Sequence, residues 1–393
     1  MGEGDTGADP EDSRTRPRTR KRRHPSIARA LGLVRSVLNQ HADADPTIGE
    51  TGETGEERAV AARPWIETLR GQRILIACSG GRDSTALVGV LQLLAHGLEL
   101  SLEIGHVDHG VRAESAAEAD HVRALGRSRG LEVRAIRLID LEPGPGLPAR
   151  ARDARRAALR EMARDCGASW IALGHTATDQ AETAIMHLVR GAGLDGLAAM
   201  PAVDAPWIRP LLGLTREQTG QLCRQLELDF VDDPTNLDHG QFRVRLREQL
   251  LPALAAVNPQ ITRSLTTLSV QARDAELALE RWTAREQQQR RQAPDLWSHE
   301  GLHALPRAIR TRLLRRICLA AGADMGELGY AVIADIDQAV MARGRALGTS
   351  DAALAPRTWR LRPGITVRLD RVGLWVGGAA KDPAIGRKPP VEA

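Results

Sequence analysis

Within seven positions the segment Ser79-Gly80-Gly81-Arg82-Asp83-Ser84-Thr85 brings together a glycine pair, three hydroxyls and a carboxylate. It follows the apolar run Ile74–Cys78 and leads into a helical stretch, Ala86–Leu94. A strand, a glycine pair and a helix start make a cradle for an anion. The glycines let the backbone approach closely, and the first-turn amides and the helix dipole face the charge. Ser79 and Ser84 can donate hydroxyl hydrogen bonds, and Asp83 can hold Mg²⁺ against a pyrophosphate group. The loop lacks the Gly-Lys-Ser/Thr ending of a Walker loop and the Gly-x-Gly-x-x-Gly spacing of a dinucleotide fingerprint. The plain alternative is an ordinary glycine turn before a helix.

Three more groups have types and spacing that could do chemistry. Asp108 and His109 stand at the exit of the run Leu100–Val107, and His175 stands just past Trp170–Leu173. Asp179 and Glu182 follow at i,i+3 at a helix start, so both carboxylates share one face. A helix N-terminus favours acidic residues anyway, which is the structural alternative. Arg243 and Arg247 share a helix face while Arg245 points elsewhere. Phosphate contacts from at least two of the three are favoured over a solvated interdomain helix. Arg112 is read either as an RNA phosphate contact or as a plain surface residue.

The elements that must position these residues are legible as a rhythm. Ile74–Cys78, Leu100–Val107, Leu131–Ile136 and Trp170–Leu173 are short apolar runs, bounded by turn residues and each followed by a helical stretch. About 30 residues per unit is what βαβ crossovers need, so a Rossmann-like, mostly parallel α/β sheet is expected. Ligands of such sheets sit beyond the carboxyl ends of the strands, where the residues above cluster. A short amphipathic helix is expected over Ile27–Leu38. Beyond Asp233 the chain reads as helical, with Asn258-Pro259 as a helix start. Ile261, Leu265, Leu268, Ala272, Ala275, Leu279 and Trp282 form a seam, and Arg285–Gln292 its solvated continuation. A further helix is expected over Arg307–Ala321 and a terminal β-hairpin over 356–377.

Composition narrows the function classes. Cys78, Cys166, Cys223 and Cys318 are widely separated with no C-x-x-C pair, which fits neither zinc nor iron–sulfur spacing and gives no disulfide framework. They read as buried small hydrophobes. Lys21, Lys381 and Lys388 are the only lysines, and the remaining cations are arginines, whose planar fork suits phosphates. Biased genome composition would give the same excess. Aromatics are scarce, so no broad base-stacking platform is expected. The chain has no apolar run of the roughly 20 residues needed to span a bilayer. Its first residues are acidic and then basic (Arg14 to Arg23) with no apolar region of a signal peptide, so a cytoplasmic protein with no membrane partner is expected.

Ser-Gly-Gly-x-Asp-Ser resembles the phosphate loop of the PP-loop ATP pyrophosphatases. The ordered series His106-Val-Asp108-His109-Gly-Val-Arg112, Gly174-His175-Thr-Ala-Thr178-Asp179-Gln180-Ala-Glu182-Thr183, Leu188-Val-Arg190-Gly191-Ala-Gly193, Arg209-Pro-Leu-Leu212, Asp233-Pro-Thr-Asn236 and Phe242-Arg-Val-Arg-Leu-Arg247 resembles the tRNA(Ile)-lysidine synthetase family over roughly residues 27–260. The resemblance implies ATP as substrate with Mg²⁺. ATP would adenylate the carbon-2 oxygen of the wobble cytidine in an isoleucine tRNA with a CAU anticodon. The ε-amine of free lysine would then displace AMP to give lysidine. It also implies roles for Asp83, Asp108, His109 and His175 around the adenylate, and capture of the lysine ammonium by Asp179 and Glu182. Arg112, Arg152, Arg243, Arg245 and Arg247 would contact tRNA, and Arg152 and Arg155 match an Ala-Arg-x-x-Arg segment that serves ATP or tRNA. Thr178 departs from the family's Asp-Asp-Gln, Val244 from an asparagine, and Pro148 and Arg156 from a glutamate and a tyrosine.

The implied organisation is a disordered basic tail, short helix and linker (1–57), a PP-loop catalytic domain (58–245), a helical tRNA-binding domain ending in a hairpin (246–378) and a disordered tail (379–393). The alternatives are a PP-loop tRNA 2-thiolation enzyme, which would need relay or cluster cysteines, and a tRNA-binding paralogue without catalysis. A homodimer is one assembly the sequence allows.

Overall fold

A computed structural model of the chain describes residues 24–40, 64–108, 115–138, 144, 146–231, 240–326, 328–345, 355–361 and 364–378. The expected tails and linker, His109, Arg112 and the Asp233–Asn236 motif lie outside these residues. The chain divides between Arg273 and Asp274 into two compact units.

In the first unit helix α1 (Pro25–Asn39) starts on a proline, whose missing N–H costs nothing at a first turn. It buries Ile27, Ala30, Val34 and Leu38, the 3.6-period stripe read from sequence. There follow β1 (Arg73–Ala77), α2 (Arg82–Leu98), β2 (Ser101–Asp108), α3 (Ser115–Arg129), β3 (Glu132–Arg137), α4 (Leu147–Asp165), β4 (Trp170–Ala172) and α5 (Ala177–Val189). Next come the short strands β5 (Val203–Asp204) and β6 (Trp207–Ile208), and then α6 (Arg216–Gln225). The sheet order is β3-β2-β1-β4-β6-β5, parallel except for the β5–β6 edge pair. β1 is buried over its last four residues because helices cover both faces of a parallel sheet. One face packs Ile74, Ile76 and Ile104 against Leu87, Leu91 and Val122, and the other packs Leu75 and Ala77 on Leu159 and Met162 of α4.

The order of strands sets the place of the site. β1 pairs with β2 on one side and β4 on the other, so the chain reverses direction across the sheet at the β1/β4 junction. Such a switch point leaves a crevice at the carboxyl ends of its two strands. Ala77 is level with Gly105, and Ile76 with Ala172. Ser79, His106 and Gly174 therefore emerge at one rim of the sheet.

The unit continues with α7 (Gly240–Arg245), a π-helical turn at Leu246–Leu250, α8 (Leu251–Val257) and the first half of α9 (Ile261–Arg290). Asn258 caps as expected, its Oδ1 accepting from the Gln260 amide at 2.9 Å. The α9 seam differs from the sequence reading. Leu268 and Trp282 are exposed, while Ser269, Ala272 and Thr283 are buried. A straight helix drifts away from a 3.5-residue repeat by about 20° per heptad, which carries the apolar positions off one line.

The second unit holds β7 (Arg291–Ala293), β8 (Leu296–Trp297), α10 (Arg307–Ala320), α11 (Tyr330–Arg345), β9 (Arg357–Leu361), β10 (Ile365–Leu369) and β11 (Leu374–Gly378). The expected hairpin is β10–β11, but it belongs to a five-stranded antiparallel sheet, β7-β8-β11-β10-β9. α9 ends at Arg290, so Arg291 and Gln292 are strand rather than helix. β7 is exposed throughout and carries no alternation for a sequence reading to find. Arg310 of α10 makes a buried two-pronged pair with Asp337 of α11. Among the described residues no helix is long and apolar enough to cross a membrane.

Candidate active site at the β1/β4 crevice

The phosphate loop is built as its residue types require. Gly80 has φ +85°, a left-handed value that only glycine adopts without strain. Gly81 is the N-cap of α2 and contributes no side chain, so among the described residues the amides of Asp83 and Ser84 have no acceptor from a cap or from their own helix, while a parallel bridge from Gly81 to Val231 ties down the residue before them. The Ser84 hydroxyl donates to the Gly81 carbonyl at 2.9 Å and accepts from the Ser79 amide at 3.2 Å, tying the two ends of the loop together. Gly174, at the exit of β4, lies against this turn. A β-carbon there would come within 3.1 Å of the Ser84 backbone nitrogen and Cα. The absent side chain is what leaves the α2 amides open.

Asp83 is held by α6, an element whose role the sequence reading missed. The Thr219 hydroxyl donates to Asp83 Oδ1, and Arg216 Nε lies 3.8 Å from Oδ2. Burial pushes the Asp83 carboxyl above its ordinary range, against the pull of Thr219 and Arg216, and the negative Asp179 adds to the rise. A missed signal for α6 was Thr215-Arg-Glu-Gln218, a capping-box pattern that the structure satisfies in both directions. Thr178 also serves this helix, its hydroxyl accepting from the Arg216 amide at 3.2 Å. In this chain the Thr178 hydroxyl thus satisfies a helix-start donor.

His175 and Asp179 face the crevice from the β4 side. Thr176 caps α5, and its amide and hydroxyl both donate to Asp179 Oδ2 at 2.8 Å. Among the described residues nothing donates a hydrogen bond to Oδ1. Burial works against the Asp179 charge, but His175, the Thr176 bonds and Arg243 outweigh it and hold the carboxyl below its ordinary value. Burial lowers His175 to about 4, so at neutral pH the ring is uncharged, and its buried Nδ1 has no hydrogen-bond partner among the described residues. Gln180, next in the motif, locks the following turn by exchanging two bonds with the Met200 backbone at 3.0 and 3.1 Å.

Glu182 is buried completely, and its carboxylate is fully engaged. Arg247 grips it with two parallel bonds of 2.8 and 3.1 Å, Arg243 Nε lies 3.3 Å away, and Arg243 also donates to Thr183 at 3.3 Å. A carboxylate out of water needs such partners. The expected shared face of Arg243 and Arg247 is present, but it is turned inward onto α5 instead of outward toward phosphates. Arg245 and Arg152 are exposed. Asp108 stands at the β2 rim 3.7 Å from Arg137. The structure thus brings Asp83, His175, Asp179, Glu182, Arg243 and Arg247 to the crevice, with Ser79 and Ser84 in the loop itself.

Two family profiles match the chain: a PP-loop domain over residues 56–254 and a TilS substrate binding domain over residues 298–352. The first covers half of the protein. The tRNA(Ile)-lysidine synthase of Thermobifida fusca is 40% identical over 72% of this chain and 88% of its own length. The chain belongs to the tRNA(Ile)-lysidine synthase family. Two further members share it at similar depth. The Streptomyces coelicolor synthase is 35% identical over 81% of this chain and 91% of its own, and that of Bradyrhizobium diazoefficiens 38% over 72% and 83%. The chain is therefore a PP-loop ligase that uses ATP, and the thiolation and non-catalytic alternatives fall away.

Proposed function

We propose that this synthase joins free lysine to carbon 2 of the wobble cytidine of the CAU-anticodon isoleucine tRNA, in the cytoplasm, through an adenylated cytidine. The observation that carries this reading is the union, at one strand junction, of an open α2 amide cradle with a carboxylate that keeps one oxygen free. The amides of Asp83 and Ser84, with Ser79, hold the phosphate chain of ATP. The cytidine O2 attacks the α-phosphorus, pyrophosphate leaves, and C2 now bears an AMP leaving group. A carbonyl oxygen leaves poorly, whereas AMP leaves well. Asp179 Oδ1 receives the lysine ε-ammonium, and once that group has lost a proton its amine attacks C2. The C2–O bond breaks and AMP departs.

His175 stays uncharged beside the adenylate and presents a ring nitrogen rather than a second cation. Glu182 positions α7 through Arg243 and the following π-helical turn through Arg247, which leaves exposed Arg245 and Arg152, together with Arg112, for tRNA phosphates. Mg²⁺ fits at Asp83. It would be held by Asp83, in the first turn of α2, together with the substrate phosphates, since Mg²⁺ binds through one or two carboxylates plus phosphates. When bound, Mg²⁺ neutralises charge on the leaving pyrophosphate.

The test is tRNA-dependent pyrophosphate release from ATP. Asp83→Asn keeps the Thr219 contact but removes the charge, and it is expected to abolish release while the protein still binds tRNA. Release at the wild-type rate in this variant would remove Asp83 from the nucleotide site.

A further inference from the structure

Asp83 has a cation beside it that the phosphate loop itself does not supply. Arg216 stands in the first turn of α6, its Nε 3.8 Å from Asp83 Oδ2 and its side chain 28% exposed. That separation is too long for a hydrogen bond. Among the described residues the Arg216 guanidinium donates no hydrogen bond, although it carries five N–H groups. The loop's own arginine is engaged elsewhere, since Arg82 lies over the Phe230 ring, 5.6 Å from its centroid. Local contacts hold α6 where Arg216 reaches the loop. Gly220 lets the helix lie close to α2, because a β-carbon there would come within 3.1 Å of Arg82 Cδ. The Arg216 amide donates to the Thr178 hydroxyl at 3.2 Å, and the Ala177 amide to the Leu214 carbonyl at 2.8 Å, so the start of α6 is tied to the start of α5. The Thr219 hydroxyl sits between Asp83 Oδ1 and the Arg216 carbonyl and joins the two helices again.

A triphosphate seated on the Asp83 and Ser84 amides lies beside this guanidinium. A planar fork with no hydrogen bond of its own can bind two phosphate oxygens at once, and the charges of a phosphate chain outweigh a single carboxylate at 3.8 Å. We propose that Arg216 is a catalytic residue of the adenylation step, binding the β- and γ-phosphates of ATP and stabilising pyrophosphate as it leaves. This rests on the reading of Ser79–Ser84 as the triphosphate site. As the cytidine O2 bonds to the α-phosphorus, the bond from that phosphorus to the oxygen bridging it to the β-phosphorus breaks. The electron pair stays on that oxygen, which departs with pyrophosphate. Hydrogen bonds from Arg216 meet the charge that grows there, and no proton is transferred. Thr178 is then a positioning residue, because its hydroxyl sets the turn that carries Arg216. Asp179, the carboxylate assigned to lysine, is the next residue, so one turn of α5 orients groups of both half-reactions.

The probes are inorganic pyrophosphate and AMP, each titrated calorimetrically into the full chain without added metal, so that no ion on Asp83 bridges to the phosphates. Wild-type protein is expected to bind pyrophosphate, and Arg216→Met to bind it about tenfold or more weakly, the scale of a hydrogen bond to a charged group. AMP affinity should change far less. Arg216→Gln, a second variant that removes the charge, should show the same loss, and Arg216→Lys should recover part of it. Asp83→Asn separates a direct contact from an effect through the carboxylate: in that background Arg216→Met should still weaken pyrophosphate by a similar factor. With ATP, Mg²⁺ and tRNA saturating, single-turnover pyrophosphate release by Arg216→Met should slow about tenfold or more. A wild-type protein that binds no pyrophosphate, equal losses for AMP and pyrophosphate, an effect that vanishes beside Asp83→Asn, or an unchanged release rate would each overturn the proposal. Pyrophosphate binding and release that depend on Arg216, in a protein that joins no lysine to tRNA, would instead fault the proposed reaction and leave the leaving-group site standing.

Discussion

Replacing Arg247 with methionine keeps an apolar stem but removes both hydrogen bonds to a carboxylate that no water reaches. Glu182 has 0% side-chain exposure, and Arg247 grips it with two bonds, at 2.8 and 3.1 Å. Removing one member of a buried pair costs about 3–5 kcal/mol, because the other charge stays behind. Arg243 Nε, at 3.3 Å, remains and keeps part of the compensation. The low end, about 3 kcal/mol, is therefore expected. For a unit of this size each kcal/mol moves the midpoint by about 2–4 °C, so the melting temperature should fall by about 6–12 °C. Differential scanning calorimetry reads that shift directly. The double variant Glu182→Gln/Arg247→Met should recover part of the loss, since it removes the stranded charge, and the cycle should show coupling of about 1–3 kcal/mol. A single-variant loss below about 0.5 kcal/mol, or strict additivity, would mean that water or another cation satisfies Glu182 and that the clamp does not hold α7.

Asp179→Asn leaves the Thr176 cap a partner but removes the charge offered at Oδ1. It should raise the KM for lysine about tenfold or more, with pyrophosphate release little changed; an unchanged KM would move lysine capture elsewhere. Gly174→Ala forces a β-carbon onto the Ser84 backbone, with a stability cost of about 1–3 kcal/mol and weaker ATP binding. Calorimetric ATP affinity equal to wild type would show that the turn yields freely. The folded His175 value of about 4 lies below the ordinary 6.5, so the unfolded chain takes up the proton first. Its contribution is full above pH 6.5 and fades as pH falls toward 4. Urea denaturation should show His175→Gln with a shallower pH slope across that window, and identical slopes would contradict a buried neutral ring.

The elements around the site were legible because parallel strands buried on both faces write themselves as apolar runs. β1, β2 and β4 fall within two residues of the expected bounds for that reason, and the edge strand β3, none of whose residues is fully buried, falls as close. The loop was legible because a glycine pair at a helix start has few other uses. What the sequence did not reveal depends on pairings between distant segments. Nothing local to Arg243 and Arg247 says that they turn toward Glu182, more than 60 residues earlier. Thr219 and Arg216 were invisible as partners of Asp83 because they reach it from a helix more than 130 residues away. The reverse case is β7, whose exposed residues carry no periodicity at all. Thr178 and the α9 seam mark a third kind of limit. Both look like departures from a pattern until a helix-start amide, or the drift of a straight helix, accounts for them.

The central claim is that the cradle and the carboxylates serve one reaction on one nucleotide of one tRNA. Incorporation of radiolabelled lysine into unmodified tRNAs bearing a CAU anticodon, with and without ATP, tests it most directly. The expected result is ATP-dependent labelling of the isoleucine tRNA and none of the methionine tRNA. Labelling that does not require ATP, or its absence from the isoleucine tRNA while pyrophosphate is still released, would contradict the account.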